Sequence, residues 1–289
     1  MAKFLLSAFA DEAGEDLELQ IAALKRNGFR CIEPRSVNGN MVKKTDEEIF
    51  EIAKRLDEAG ITVPSLGSPI GKFEINEDFD VHLAEFRRAL RACEILGAKR
   101  MRIFSFFVKQ EELAQHRDEV MRRMSILLEE ADRAGVLLCH ENESKIYGQN
   151  PEEVRDLLDS LPTLRGIFDA ANYVRHQQDP IKGYEATAAK LEYVHIKDAL
   201  FADRSMVPVG EGDGQYREIL SRIDQSTDKT VVLTLEPHLY TFKAYKSIDT
   251  LELKHRRVFE NADEAFDCAA DALKKLLADI GHPVAGGEA

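Results

Sequence analysis

Short apolar, β-branched or aromatic runs alternate along this chain with longer segments whose apolar positions recur at helical spacing. The short runs predict strands at Phe4–Phe9, Phe29–Glu33, Ile61–Leu66, Arg100–Phe104, Val136–Glu141, Arg165–Asp169, Tyr193–Lys197 and Val231–Glu236. The segments between them predict helices near Leu17–Asn27, Asp46–Ala59, Val81–Leu96, Glu111–Ala134, Glu152–Leu158, Glu185–Ala189, Tyr216–Ile223 and Asp263–Ile280. In the first half, Gly28, Gly60, Gly97 and Gly135 each close a helix just before a strand, where the backbone tends to turn left-handed. Asn150-Pro151-Glu152-Glu153 reads as a helix start, with a capping Asn, Pro in the first turn and acids near the positive end.

Strands that alternate with crossover helices pair in parallel, and eight such units close naturally into a barrel. The expected fold is therefore α/β, a single (β/α)8 TIM barrel over residues 1–280, with 281–289 as a flexible tail. An open doubly wound sheet would ordinarily carry a glycine-rich phosphate turn after its first strand, and AFADEAGED at residues 8–16 has none. The segments Gly67–Asp80 and His238–Asn261 are longer than a barrel needs and are candidate lids or binding loops.

Composition narrows the function class. The 289 residues suit one barrel, and 44% apolar content suits a packed core. No apolar run approaches the ~18–20 residues that span a bilayer. The apolar N-terminus turns acidic at Asp11 and Glu12 and reads as a strand, so a cytoplasmic protein with no membrane partner is expected. A net charge of −13 disfavours nucleic acid as a partner. Cys31, Cys93, Cys139 and Cys268 are far apart, which argues for buried thiols against disulfides or a zinc ribbon. A homo-oligomer is compatible with the sequence.

Barrel active sites form at the C-terminal ends of the strands. The last four predicted strands end on or contain Glu141, Asp169, His195 and Glu236. A single acid at a strand end is ordinarily a helix cap or an ion-pair partner, and a single His in an apolar strand is ordinarily a satisfied core residue. Four in succession at similar depth are another matter. Uncompensated charge at the end of an apolar strand is costly, and one shared cation would compensate all four. Three carboxylates and an imidazole suit one divalent ion: manganese first, with magnesium, cobalt, iron or zinc also fitting. His140 alternates with Glu141 and should face the helices. Arg35, Lys72, Ser105, Asn172, Lys197 and His238 lie at or just beyond strand ends and are candidate substrate contacts.

The segments HENE at 140–143, FDAANY at 168–173, YVHIKDA at 193–199, VGEGDG at 209–214 and LTLEPH at 233–238 resemble the xylose isomerase-like barrel superfamily of sugar epimerases, sugar isomerases and inosose dehydratases. The resemblance covers most of the chain and is strongest over 136–240; SPIGK at 68–72 and RIFSFF at 102–107 look like a less characterised branch. It implies that Glu141, Asp169, His195 and Glu236 bind one divalent metal and that Glu141 and Glu236 move a proton beside a carbonyl of a small sugar or keto-sugar. The implied reaction is isomerisation or epimerisation through an enediolate. Loss of a neighbouring hydroxyl or alkoxide from the same intermediate would instead make the enzyme a dehydratase or β-eliminating lyase on a keto-sugar or keto-inositol. Asn172 and Phe201 stand where epimerases of this group often carry a His and an Arg, so their substrate contacts do not carry over whole. An apurinic endonuclease of the same superfamily would need further histidines, which Asn172 and PVGEGDG at 208–214 do not supply. A non-catalytic sugar-binding barrel would be favoured by a missing ligand, and all four are present.

Overall fold

The computed structural model describes residues 1–241 and 253–283. Its strands are β1 (Lys3–Ala8), β2 (Ser65–Leu66), β3 (Arg100–Ile103), β4 (Leu137–Glu141), β5 (Arg165–Asp169), β6 (Leu191–Ile196), β7 (Asp198–Ala199), β8 (Met206–Val207) and β9 (Thr230–Leu235). Seven of them form one parallel sheet in the order β1-β9-β6-β5-β4-β3-β2. The short β7 and β8 pair antiparallel in the loop after β6.

The sheet curls until its two edges meet across the segment 30–34. Cys31 bridges Thr62 in parallel. Thr62 N donates to the Arg30 carbonyl, Ile32 N to the Thr62 carbonyl, and Glu33 N to the Ala8 carbonyl of β1. This segment is the expected strand Phe29–Glu33 reduced to a single bridge. The expected strand Ile61–Leu66 is likewise cut to Thr62 and β2. Pro34 and Pro64 offer no N–H, which breaks the ladder on both sides of that seam. The chain thus has an α/β-barrel fold with one thin stave.

The helices are α1 (Leu17–Arg26), α2 (Asp46–Glu58), α3 (Phe79–Leu96), α4 (Leu113–Ala134), α5 (Pro151–Ser160), α6 (Ala170–Arg175), α7 (Pro180–Thr187), α8 (Tyr216–Ser226) and α9 (Ala262–Asp279). Gly28, Gly60, Gly97 and Gly135 all take positive φ after α1 to α4, as their placement predicted. Two expectations need correction. The helix expected at Glu185–Ala189 runs from Pro180 to Thr187, because Asp179 caps Ile181 N and Pro180 fits the first turn. Asn150 sits at the start of α5, but its side chain makes no capping bond and its amide reaches Gln110 Oε1 instead, at 3.4 Å. The short α6, directly after β5, had no sequence signal that separated it from a loop. Part of the long loop expected at His238–Asn261, residues 242–252, and the tail beyond 283 lie outside the described residues.

A large apolar layer packs the helices against the outside of the sheet. A small inner one, Cys139, Ile167, Tyr193 and Val232 with Leu137 beside it, plugs the barrel. Cys31, Cys93 and Cys139 are buried free thiols and Cys268 is a half-buried one. No described helix is long and apolar enough to cross a membrane.

Two buried histidines outside the barrel make the fold acid-sensitive. His82 on α3 accepts from Gly71 N through Nε2, and His140 on β4 shares a 2.8 Å hydrogen bond with Ser105 Oγ. Burial pushes both imidazoles down to about 4, with Arg123 adding to the effect at His82. Their folded affinity for protons is below the unfolded one, so the stability they contribute is complete above pH ~6.5 and is lost as pH falls towards 4. Linkage puts that loss at about 2 kcal/mol per histidine by pH 5. Urea unfolding of the wild type should therefore show a falling midpoint between pH 6.5 and 5, and His140→Gln should flatten that fall. An unchanged midpoint across this window would rule the effect out.

Candidate metal centre and active site

The parallel ladders fix which side chains enter the barrel. Alternation along β4, β5, β6 and β9 turns Cys139, Ile167, Tyr193 and Val232 inward, and two residues later it turns Glu141, Asp169, His195 and Thr234 inward as well. Glu236 follows Thr234 on the same side, just past the end of β9. The four residues read as ligands from the sequence all meet at the C-terminal mouth. One potential ligand atom from each lies within 4.8 Å of the others, and each residue is at most 1% exposed. His140 faces outward with Ser105, as alternation predicted.

The chemistry of this donor set fits a cation. Asp169 Oδ1 accepts from Asn172 N at 3.0 Å, which leaves Oδ2 for the cluster. His195 turns Nε2 towards Glu33 and Nδ1 towards the carboxylates, 3.0 Å from Glu141 Oε1 and 3.6 Å from Glu236 Oε2. Asp169 Oδ2 and His195 Nδ1 are both buried without a hydrogen bond of good geometry. The surroundings carry excess negative charge. Among the described residues of this network, the buried carboxylates of Asp11, Glu12, Glu33, Glu141, Asp169 and Glu236 face three permanent cations, Arg35, Arg102 and Lys197. A divalent ion would offset most of that imbalance.

Within the cluster the charges pair with one another. Burial raises the Glu141 carboxyl, but His195 and Arg102 override it and hold it down to about 2. Burial is likewise overridden at Glu236, where Lys197, His238, Arg35 and His195 keep the carboxylate well below its usual range. At Asp169 burial wins over Lys197 and lifts the group to about 7. Burial opposes the charged imidazole at His195, yet Glu141 and Glu33 raise it to about 10.

The six candidate substrate contacts fall into four groups. Lys197 Nζ lies 2.9 Å from Asp169 Oδ2 and 3.3 Å from Glu236 Oε2, and Asn172 Nδ2 reaches Glu141 Oε1 at 3.4 Å, so both stand at the cluster itself. Arg35 and His238 form a second layer. Arg35 binds Glu236 Oε1 at 2.7 Å and Asp11 through two parallel bonds, and also reaches Glu12. His238 Nδ1 lies 3.1 Å from Glu12 Oε1. Glu12, Glu236 and His238 make a second group of potential ligands, but the Arg35 guanidinium already fills it with positive charge. Lys72 stands further out, paired with Glu143 at 2.9 Å over the Phe104 ring. Ser105 does not join the site. Its hydroxyl is spent outside the barrel on His140 and the Tyr147 carbonyl.

Sequence reading missed Asp11, Glu12, Glu33 and Arg102. Arg102 contacts Glu141 Oε2 at 3.3 Å and stacks over Phe9 and Phe104. A signal was available: Glu33 in CIEP and Arg102 in RMRIF are charges inside apolar strands, like the one that flagged His195.

A family model described as xylose isomerase-like TIM barrel matches residues 21–252. No curated protein sequence matches the chain. Among solved structures, the chain resembles a probable 3-DHS dehydratase, AsbF, from Bacillus anthracis, at 15% identity and TM-score 0.70 over 94% of this chain and 98% of that one. It also resembles the IOLI protein with a bound zinc atom, at 14% identity and TM-score 0.72 over 96% and 99%. A third is the 3-keto-D-glucoside 4-epimerase YcjR from E. coli, at 16% identity and TM-score 0.68 over 96% and 100%. At these identities the likeness carries the fold and no more.

Proposed function

Because the chain belongs to the xylose isomerase-like TIM barrel family, we propose that it is a divalent-metal-dependent isomerase or epimerase that moves a proton on the carbon beside a carbonyl of a small keto-sugar. The observation that carries this reading is the buried meeting of Glu141, Asp169, His195 and Glu236. Those four would hold the ion, manganese by preference. When bound, it supplies a Lewis acid that polarises the carbonyl. The protein's own part is to place carboxylates on the substrate. Glu141 and Glu236 approach from different strand ends, so one can take the proton while the other returns one on the opposite face. Lys197 and Asn172 hold substrate hydroxyls beside them, with Lys72 further out at the mouth.

Elimination is the second reading, and Lys197 favours it. Its buried ammonium spans Asp169 and Glu236 and can hydrogen-bond a departing hydroxyl, whose proton would come from the glutamate that does not take one from carbon. Neighbours of this fold include both an epimerase and a dehydratase.

The test detects the step both readings share. Purified protein incubated in deuterated water with a panel of keto-sugars and keto-inositols should exchange one carbon-bound hydrogen, seen by NMR. Excess chelator should stop the exchange, and Mn²⁺, Co²⁺ or Mg²⁺ should restore it. Full exchange in chelator, with elemental analysis finding no metal, would refute the metal-dependent reading.

A further inference from the structure

One buried carboxylate below the four proposed ligands has no part in the chemistry above. Glu33 lies on the thin stave and is fully buried. Its oxygens accept from Tyr193 Oη at 2.8 Å, Thr234 Oγ1 at 2.9 Å and, more weakly, Ser65 Oγ at 3.4 Å. The fourth contact is His195 Nε2, at 3.3 Å from Oε2. These partners come from β2, β6 and β9, all facing inward. Among the described residues no lysine or arginine bonds to Glu33, and Arg102 acts on it only through space. A buried carboxylate held only by hydroxyls and one imidazole is costly unless that imidazole connects it to positive charge.

From this arrangement we infer that Glu33 is the positioning residue of the metal centre, fixing His195 with its proton on Nε2 and its Nδ1 lone pair directed at the cation site. This rests on the metal-dependent reading above. The geometry allows little else. Glu33 can only accept, so a neutral His195 satisfies it only as the Nε2–H tautomer. Nδ1 then faces Glu141 and Glu236, where a neutral imidazole binds a metal. The ring cannot readily turn away. Phe9 and Tyr193 pack edge-on against it, with centroids 5.1 and 5.4 Å distant. Tyr193 and Thr234 in turn hold the Glu33 carboxylate in the orientation that meets Nε2.

Glu33→Gln tests the role at nearly constant volume. With its oxygen on the Tyr193 side the amide turns its NH2 towards Thr234 and Nε2 and opposes the Nε2–H tautomer, and with its oxygen on the other side it accepts from Nε2–H without the charge that strengthens that bond. Outer partners of metal-bound histidines typically contribute ~10–100-fold to affinity. Chelator competition with Co²⁺ and Zn²⁺ should therefore show at least a ~10-fold weaker complex for Glu33→Gln than for wild type, with circular dichroism confirming the folded state of both. Glu33→Asp should recover part of that loss. Nitrogen-15 NMR of the zinc-loaded wild type should show Nδ1 of His195 coordinated and Nε2 protonated. Equal affinity in wild type and Glu33→Gln, or coordination through Nε2, would overturn the role of Glu33 while leaving a metal enzyme in place. Failure of the folded wild type to bind either ion would overturn the metal-dependent reading and this inference with it.

Discussion

Glutamine at position 141 or 236 is expected to lower turnover by ~10²–10⁴-fold while the barrel stays folded, because general acid–base groups contribute about that much. The substitution keeps shape and one oxygen but removes the basic site. The two variants should differ in metal content. Glu141 meets Arg102, His195 and Asn172, and an amide oxygen can still accept from Arg102. Glu236 is held on both oxygens, by Arg35 on Oε1 and Lys197 on Oε2. An amide there can satisfy only one of those cations and points its NH2 at the other, so Glu236→Gln should lose more metal. An epimerase working on two faces should show an exchange asymmetry. Each variant should still exchange the substrate hydrogen with deuterated water from one epimer and fail from the other, in opposite senses. A lyase should lose exchange with only one of the two. Elemental analysis and NMR exchange on the same samples decide it. Near wild-type rates in both variants, with metal bound, would remove both residues as bases and move the search to Lys197 and His238.

The meeting of these four side chains was legible because each marks the end of a strand whose apolar run is itself easy to see. Strand ends in a barrel are also mouth positions, so existence and order were enough. Depth below the mouth was harder to read. Barrel strands are buried on both faces and give near-continuous apolar runs, so the inward phase is hidden. Ser105 shows the cost. Arg102 points inward, so Ser105, three residues on, has the opposite parity and points outward, and only the phase of β3 reveals it. Glu33 was hidden differently. Its stave makes a single bridge beside Pro34, and its partners Tyr193 and Thr234 come from strands 160 and 201 residues away. No local pattern encodes such a meeting. The misplaced α7 is a simpler failure, since Asp179-Pro180 is itself a plain helix start, a capping Asp followed by Pro in the first turn.

Replacing Asp198 with alanine is expected to destabilise the protein by about 3–6 kcal/mol, the largest single stability loss foreseen outside the buried four-residue cluster. Asp198 follows Lys197 and is buried. Its carboxylate accepts from the backbone N–H of Gly210, Gly212 and Gly214 and of Ala199, at 2.9 to 3.1 Å. These glycines are the alternate positions of VGEGDG. At Gly212 a Cβ would come within 2.3 Å of Asp198 Oδ1, so the close approach excludes a side chain. Alanine at 198 would strand these donors in or near the interior, each costing about 1–3 kcal/mol where it stays unsatisfied. The loop so held delivers Tyr216 at the start of α8. The Tyr216 hydroxyl donates to the His195 carbonyl at 2.8 Å and accepts from Lys197 N and Ala170 N. It therefore ties the end of β6, with its proposed ligand, to the residue after Asp169. Thermal unfolding of metal-free Asp198→Ala should show a Tm lower by about 10 °C for a chain of this size. Its Co²⁺ affinity should fall as well, because His195 and Asp169 lose their common anchor. Asp198→Asn should fall between, since its oxygen accepts while its NH2 opposes the remaining amides. A Tm within about 2 °C of wild type for Asp198→Ala would show that water satisfies the glycine amides and that the loop holds without its carboxylate.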